Sequence, residues 1–174
     1  MRRLNLRSLP PLELPAGYRL RTAGPEDAER LGAVLSAAFG ETWDVERVHR
    51  RLLVDASVVA VFVIEREEGH LVATASSRLL PEQYPGSGYL HWVGADPAES
   101  GKRLGYLVTM AVLHDFARRA LSDSVLETDD WRLPAIATYL KCGYVPELRG
   151  PEDAGRWEAV RAALRPGTLR LMTG

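Results

Sequence analysis

Residues 88–113 read GYLHWVGADPAESGKRLGYLVTMAVL and join two different hydrophobic patterns. The first part, Tyr89 to Ala95, is aromatic and apolar and contains a glycine, which is typical of a buried strand. The part that begins at Gly101 is apolar at helical spacing, which predicts an amphipathic helix. Several backbone N–H groups at the start of that helix lack intrahelical partners, so the turn Gly-Lys-Arg-Leu-Gly favours binding of an anion such as phosphate.

The chain has the size and composition of one ordinary globular domain. It has 174 residues, of which 46% are hydrophobic, and 22 basic residues nearly balance 23 acidic ones. This balance gives no overall field that would attract nucleic acid or an anionic membrane, so we expect neither as a partner. Any anion site must therefore be local.

A single cysteine, Cys142, cannot form an internal disulfide, and no Cys/His cluster has zinc spacing. We therefore expect no metal, and the cytoplasm is the favoured location. The basic start of the chain, Met1-Arg2-Arg3, is not followed by an apolar segment long enough for a signal peptide. No other stretch is apolar enough to span a membrane, which predicts a soluble protein.

The first sixteen residues contain prolines and leucines without a period. They predict an N-terminal extended arm over residues 1–16, either lying on the domain or partly disordered. Residues 17–174 are predicted to form a single domain. It begins with a strand at Tyr18–Thr22, followed by a helix that starts at Pro25 and ends near Gly40. Asp44 is the expected cap of a second helix.

The remaining pattern predicts an α/β fold, in detail a three-layer α/β/α sandwich with a mixed, mostly antiparallel sheet. A hairpin pairs residues 58–64 with residues 71–77 around a charged turn. After the central strand and its helix come a short strand at Ser124–Thr128 and a helix at Pro134–Lys141. A last helix is closed by Pro166-Gly167, and Thr168–Met172 could form a final strand.

Two motifs carry a resemblance to a known family. The run Ala95-Asp96-Pro97 is followed by SGKRLG, and ETDDWRLPAIATYLKCGYVP begins at Glu127. Their order and separation resemble the GNAT superfamily of acyl-CoA-dependent N-acetyltransferases, over Tyr18 to about Pro146. The resemblance implies direct transfer of an acetyl or other acyl group from acetyl-CoA to a small-molecule or peptide amine.

The same resemblance implies a sheet splayed at the central strand. Family members often form dimers, so a homodimer is one oligomeric state that the resemblance allows for this protein. The alternative function is a non-catalytic sensor or scaffold of the same fold that binds acyl-CoA.

The first motif implies the donor-binding loop. In the family an Arg or Gln, two residues, a Gly, one residue and a Gly or Ala bind the coenzyme A pyrophosphate through backbone amides. The implied donor-binding residues here are Ser100, Gly101, Lys102, Arg103, Leu104 and Gly105. Gly105 keeps the family's residue, whereas Ser100 and Arg103 depart from it. Arg103 is tolerated if it has a helical φ, and Lys102 and Arg103 would then contact phosphate.

The second motif implies a catalytic tyrosine. Ala135, Tyr139 and Gly143 match the family's pattern, and Arg132 stands where asparagine is usual, so Arg132 is also an implied donor-binding residue. By this resemblance Tyr139 is the general acid that protonates the leaving thiolate of coenzyme A. A half-buried tyrosine that fills the gap between helix and sheet is the alternative.

Gly94 is a candidate β-bulge, because a glycine inside a strand often marks a kink or a close approach of a ligand. In the family such a bulge parts two strands around the pantetheine arm, which implies backbone bonds from Val93 and Ala95. The alternative is a glycine needed only for packing beneath Trp92.

An amine acceptor must lose a proton, so a base or a water path is needed. His91 is the first candidate because it lies on the central strand and histidine titrates near neutrality. A hydrogen-bonded core histidine is the alternative. Glu127 is a second candidate, as are Asp129 and Asp130, although these two could instead cap the next helix or pair with Arg132.

Overall fold

The computed structural model describes residues 1–164, which form a six-stranded sheet with helices on both faces. The strands are β1 (Arg2–Arg3), β2 (Tyr18–Thr22), β3 (Val58–Arg66), β4 (Leu71–Arg78), β5 (Ser87–Ala95) and β6 (Asp123–Val125). The helices are α1 (Ala28–Phe39), α2 (Val45–Val48), α3 (Leu104–Arg118), α4 (Leu133–Lys141) and α5 (Pro151–Ala163). The strand order is β1-β6-β5-β4-β3-β2, and β5 and β6 run parallel while the other neighbours are antiparallel. The predicted mixed three-layer fold is confirmed.

Side chains alternate between the two faces of the sheet along each strand, and a layer of helices packs on each face. In β3, Val63 packs in the cluster that contains α1 and α2, whereas its neighbour Ile64 packs in the larger cluster that contains α3. Both side chains are fully buried, as expected when successive residues point to opposite faces of a covered sheet. The helix α5 packs on α4 through a third apolar cluster that includes Val160 and Leu140.

The N-terminal arm lies on the domain. Its residues Arg2 and Arg3 form β1, which pairs antiparallel with β6, and Leu6 is 4% exposed in the main core. Of the two alternatives left by the sequence, the packed arm is therefore the one observed. The extent of a single domain over residues 17–174 stays a prediction. The expected helix end at Pro166-Gly167 and the expected strand at 168–172 lie outside the described residues.

Several element ends agree with their local signals. Gly40 ends α1 with φ +68°, and the Asp44 carboxylate accepts a hydrogen bond from the Arg47 N–H at 2.7 Å as the cap of α2. The strand predicted over Ser124–Thr128 is shorter in the structure, where β6 ends at Val125. The helix predicted from Gly101 begins at Leu104, because three residues of irregular loop come first.

The strand β5 carries a bulge at the middle of the sheet. Its register with β4 shifts between His91 and Gly94, so β5 holds one more residue than its partner there. Trp92 lies in this bulge with φ +45°, a left-handed conformation that is uncommon for a bulky residue. The bulge expected at Gly94 thus lies at Trp92. Gly94 lets α1 come close, since a Cβ there would lie 3.0 Å from the Ala38 Cβ.

Candidate active site

A gap opens between β5 and the chain that follows β6. The two strands pair over residues 87–89 and 123–125 and no further, while the Leu126 N–H donates to the Met1 carbonyl oxygen at 3.0 Å on the side away from β5. In the described part of the chain, residues 90–95 of β5 therefore have no strand partner on the β6 side. Their backbone polar groups on that side are available to a ligand. This is the splay that the sequence resemblance implies.

Two cavities meet in this gap. The strand-gap cavity, about 330 Å³, is lined by residues 89–93 of β5 and residues 126–129. The loop-side cleft, about 620 Å³, is lined by residues 93–97, the loop before α3 and one side of α4. The residues that line both are Phe39, Val93, Arg132, Ala135 and Tyr139. A ligand that lies along the cleft can therefore reach a second ligand in the cavity.

The loop before α3 presents backbone N–H groups to the loop-side cleft. Gly101 has φ +88° and Arg103 has φ +59°, and α3 begins directly afterwards. Within residues 1–164, no hydrogen-bond acceptor is found for the N–H groups of residues 101–106. Such a turn at a helix N-terminus binds anions through its N–H groups and the helix dipole. A Cβ at Gly105 would meet nothing within 4 Å, so this position leaves open space for a ligand.

Arg103 does not have the helical φ that the sequence analysis requires of it. It takes the left-handed conformation, which favours glycine and is unfavourable for other residues by roughly 1 kcal/mol or more. Its guanidinium lies 4.7 Å from the centroid of the Tyr106 ring, and the side chain still lines the cleft. The turn geometry is thus kept at a cost in backbone strain.

Lys102 lies outside the cleft and is tied to the sheet. Its ammonium donates to Glu99 Oε2 at 2.5 Å and to the Tyr18 hydroxyl at 2.7 Å. Glu99 also accepts from Tyr18 at 2.6 Å and from Arg66 at 3.0 Å, and these partners hold the pKa of the Glu99 carboxyl at about 2. We call these four residues the Glu99 clamp. The expected contact of Lys102 with phosphate is not what the structure shows, because its charge is paired within this clamp.

Tyr139 lies on α4 at the junction of the two cavities. Its side chain is 7% exposed, and burial raises the pKa of its hydroxyl to about 12, while the positive charge of Arg132 acts in the opposite direction. The phenol is therefore protonated at neutral pH and can donate a proton or a hydrogen bond. Ala135, one turn earlier on the same helix, leaves room beside it.

His91 lines the strand-gap cavity with an uncharged ring. Burial, together with the positive charge of Arg78, lowers the pKa of the imidazole to about 4. The expected titration near neutrality is therefore wrong for this environment. Its Nδ1 and the neighbouring Trp92 Nε1 are buried, and among the described residues neither has a hydrogen-bond partner. Trp92 packs edge-on against Trp43 with ring centroids 4.5 Å apart.

Glu127 lines the other wall of the strand-gap cavity. Its carboxylate accepts hydrogen bonds from the Tyr84 hydroxyl at 2.9 Å and the Tyr89 hydroxyl at 3.3 Å, and the Arg149 guanidinium lies 3.9 Å away. Burial and this carboxylate raise the pKa of Tyr89 to about 12. Asp129, in contrast, forms a salt bridge with Arg132 at 3.2 Å. This is the alternative to a catalytic role that the sequence left open for Asp129.

Most of the residues singled out from the sequence come together here. Tyr139, His91 and Glu127 line the strand-gap cavity; the loop-side cleft is lined by Val93, Ala95, Ser100, Gly101, Arg103, Leu104, Gly105 and Arg132. Sequence reasoning missed Phe39, which lines both cavities, because nothing local distinguishes it from a core residue of α1. It also missed the Glu99 clamp, whose partners come from β2 and β3.

Comparison with known proteins identifies the family. A profile described as the acetyltransferase (GNAT) family matches residues 28–144, which include the gap, the loop before α3 and α4. The chain belongs to the GNAT acetyltransferase family. This GNAT chain is 32% identical over 149 residues to a mycothiol acetyltransferase of Nocardia farcinica, with 79% of the chain and 48% of that protein covered. A mycothiol acetyltransferase of Saccharomonospora viridis is 33% identical over 149 residues, with 78% and 48% covered.

Solved acetyltransferase structures share the fold. The ribosomal-protein-S18-alanine N-acetyltransferase of Escherichia coli aligns with a TM-score of 0.64 at 15% identity, covering 75% of this chain and 79% of that one. A putative acetyltransferase from Agrobacterium tumefaciens aligns with a TM-score of 0.64 at 22% identity, covering 76% and 96%. The GNAT chain spans about half the length of the curated relatives it matches.

Two other kinds of site are absent from the described residues. Across residues 1–164 no helix is both long and apolar enough to cross a bilayer. The same residues contain no group of three or more His, Cys, Asp or Glu side chains arranged to hold a metal ion.

Proposed function

We propose that this GNAT protein transfers an acetyl group from acetyl-CoA directly to a primary amine. The observation that carries the proposal is the position of Tyr139, whose protonated hydroxyl lies where the loop-side cleft and the strand-gap cavity meet. Donor and acceptor can therefore be bound together with a proton donor between them, which favours direct transfer by proximity.

The donor would lie in the loop-side cleft. Its pyrophosphate fits the N–H groups of residues 101–106, and its pantetheine arm fits beside Val93 and Ala95, where β5 has unpaired backbone groups. Arg103 supplies positive charge at the phosphate end. Ser100 lines the cleft but has a short side chain, so the backbone carries more of the binding here than the family's long Arg or Gln side chain would require.

The acceptor amine would enter the strand-gap cavity and attack the thioester carbonyl carbon. Glu127 is our preferred base, because its carboxylate lines the cavity, while the His91 imidazole with a pKa of about 4 is a weak base. As the carbon–sulfur bond breaks, its electron pair goes to sulfur, and Tyr139 donates a proton to the leaving thiolate. The amine that relatives suggest by name is a mycothiol-type acceptor, and we include it among the candidates with peptide amines.

The test is release of free coenzyme A thiol from acetyl-CoA in the presence of a panel of primary amines. We expect amine-dependent release, and Glu127→Gln should lower kcat/KM for the amine by about 100-fold. Glu158→Gln, on the exposed side of α5, is the matched control and should behave as wild type. Unchanged rates in Glu127→Gln would remove the base assignment while leaving the transfer intact.

A non-catalytic acyl-CoA-binding protein of the same fold is the competing proposal, favoured by the strained Arg103 and by the pairing of Lys102 within the Glu99 clamp. Tight binding of acetyl-CoA without release of thiol to any amine would support it. A cytoplasmic location and a homodimer are further proposals from the sequence. Size-exclusion chromatography of the purified protein tests whether it is a homodimer.

A further inference from the structure

Arg132 lies at the junction of the two cavities, where donor and acceptor would meet. Arg132 directly precedes α4, and its side chain lines both cavities together with Tyr139, seven residues further along. Within residues 1–164, it is the one cationic side chain that lines both cavities. Arg103 and Lys141 line the loop-side cleft alone, so Arg132 is the cation at the junction, where Asp129 of the strand-gap cavity pairs with its Nε and leaves the Nη atoms to a ligand.

The Arg132 guanidinium is held in place and keeps donors free. It lies 4.7 Å from the centroid of the Phe39 ring and 4.6 Å from that of the Trp131 ring, as cation–π contacts. Its Nε donates to Asp129 Oδ2 at 3.2 Å. Among the described residues its two terminal nitrogens have no hydrogen-bond acceptor, and its side chain is 28% exposed. The group is therefore oriented by its neighbours while the Nη atoms can still bind an anion.

The proposed reaction produces an anion at this place. When the carbon–sulfur bond of the thioester breaks, the electron pair becomes the charge of a thiolate. The Tyr139 hydroxyl, with a pKa of about 12, is a weak acid towards a thiolate whose conjugate thiol has a pKa of about 8.5. Burial thus makes Tyr139 a poor proton donor, so negative charge develops on sulfur in the transition state. A fixed cation would stabilise it without any transfer of a proton.

We propose that the Arg132 guanidinium, held against the Phe39 and Trp131 rings, stabilises the thiolate of coenzyme A as the acyl group leaves. This inference rests on the proposed function and assigns Arg132 a role beyond donor binding. The thioester sulfur of acetyl-CoA carries no charge, so Arg132 contributes more to the transition state than to binding of the donor. The thiolate takes its proton from Tyr139, which regains one from solvent, and the amine gives up its proton to Glu127 on the acceptor side.

The test measures the thiol pKa of coenzyme A bound to the protein, from the ultraviolet absorbance of the thiolate as the pH is raised. In wild type we expect a bound thiol pKa about one unit lower than in Arg132→Met, which is about tenfold more thiolate at a given pH. Arg132→Met keeps the length and the packing against the rings, and Arg132→Lys should restore part of the shift. Arg156→Met is the control, since Arg156 pairs with Asp130 and lines neither cavity.

Kinetics supply the second readout. Arg132→Met should lower kcat about tenfold and leave the KM for acetyl-CoA within about twofold, because the lost interaction forms as the bond breaks. A merely structural role would change neither the bound thiol pKa nor the balance between kcat and KM in this way. Equal thiol pKa values in wild type and Arg132→Met overturn the inference.

The outcomes separate this inference from the proposed function. Amine acetylation by wild type together with an unshifted thiol pKa in Arg132→Met leaves the function standing and removes the role of Arg132. A shifted thiol pKa without acetylation of any amine supports the thiolate site and counts against transfer. Failure of coenzyme A to bind the folded protein removes both.

Discussion

The pyrophosphate site can be tested at Gly105, on the first turn of α3. A Cβ at this position meets nothing within 4 Å, and the side chain would project into the open space of the loop-side cleft. Gly105→Glu therefore needs no rearrangement of the core. An acidic residue in the first turn of a helix is itself favourable by about 0.3–1 kcal/mol, so the fold should be at least as stable as wild type.

The introduced carboxylate should weaken the binding of acetyl-CoA by repelling its pyrophosphate. With the carboxylate about 6 Å from each phosphate and an effective dielectric constant of about 40, each repulsion costs roughly 1.4 kcal/mol. Two pyrophosphate charges give roughly 2.8 kcal/mol, which corresponds to a roughly 100-fold weaker Kd for acetyl-CoA. Gly105→Gln is the matched control, since it adds nearly the same bulk without the charge, and it should lose much less affinity.

Calorimetric titration with acetyl-CoA measures the difference, and a thermal melt of each variant checks the fold. Raising the salt concentration should reduce the difference in Kd between Gly105→Glu and Gly105→Gln, because screening weakens the repulsion. Equal affinities for Gly105→Glu and wild type, with both proteins folded, would refute the placement of the pyrophosphate at this helix N-terminus.

Three further predictions follow from the site and its supports. Tyr139→Phe should lower kcat about 100-fold and leave the Kd for acetyl-CoA within about twofold, and an unchanged kcat in steady-state assays counts against the acid role. Glu99→Gln should raise the KM for acetyl-CoA several-fold at nearly constant kcat, because the loop before α3 loses its tie to β2 and β3; equal KM values would show that the clamp does not position the loop. Asp27 is buried and pairs with Arg21 at 2.6 Å, and its pKa is lowered to about 2, so its stabilisation is complete above about pH 4 and is lost as the pH falls towards 2. Asp27→Asn should lower the free energy of unfolding at pH 7 by about 2 kcal/mol and flatten its loss below pH 4 in urea titrations, whereas a wild-type pH dependence contradicts the assignment.

The sequence was informative where the signal is local. The hydrophobic periods of α1 and α3, the cap at Asp44 and the stop at Gly40 depend on neighbours within a few residues, and the structure has them at or close to the expected places. The strand-to-helix turn before α3 was visible for the same reason. Motif order then led to Tyr139, which lies at the junction of the two cavities.

Features that depend on distant contacts were not visible. The pairing of Lys102 with Glu99 follows from the presence of Tyr18 and Arg66, which are remote in the chain. The low pKa of His91 comes from burial and from Arg78 on the neighbouring strand. The place of β1 beside β6 likewise depends on an arm whose prolines and scattered leucines have no period.

Binding of acetyl-CoA in the loop-side cleft, followed by transfer of its acetyl group, is what we propose for this GNAT chain. Calorimetric titration of the purified protein with acetyl-CoA, and separately with coenzyme A, is the decisive measurement. We expect binding at about one site per chain, followed by thiol release when a suitable amine is added. A folded protein that binds neither ligand at millimolar concentration would mean that Ser100 and the strained Arg103 have abolished the donor site, and the proposed function would then be wrong.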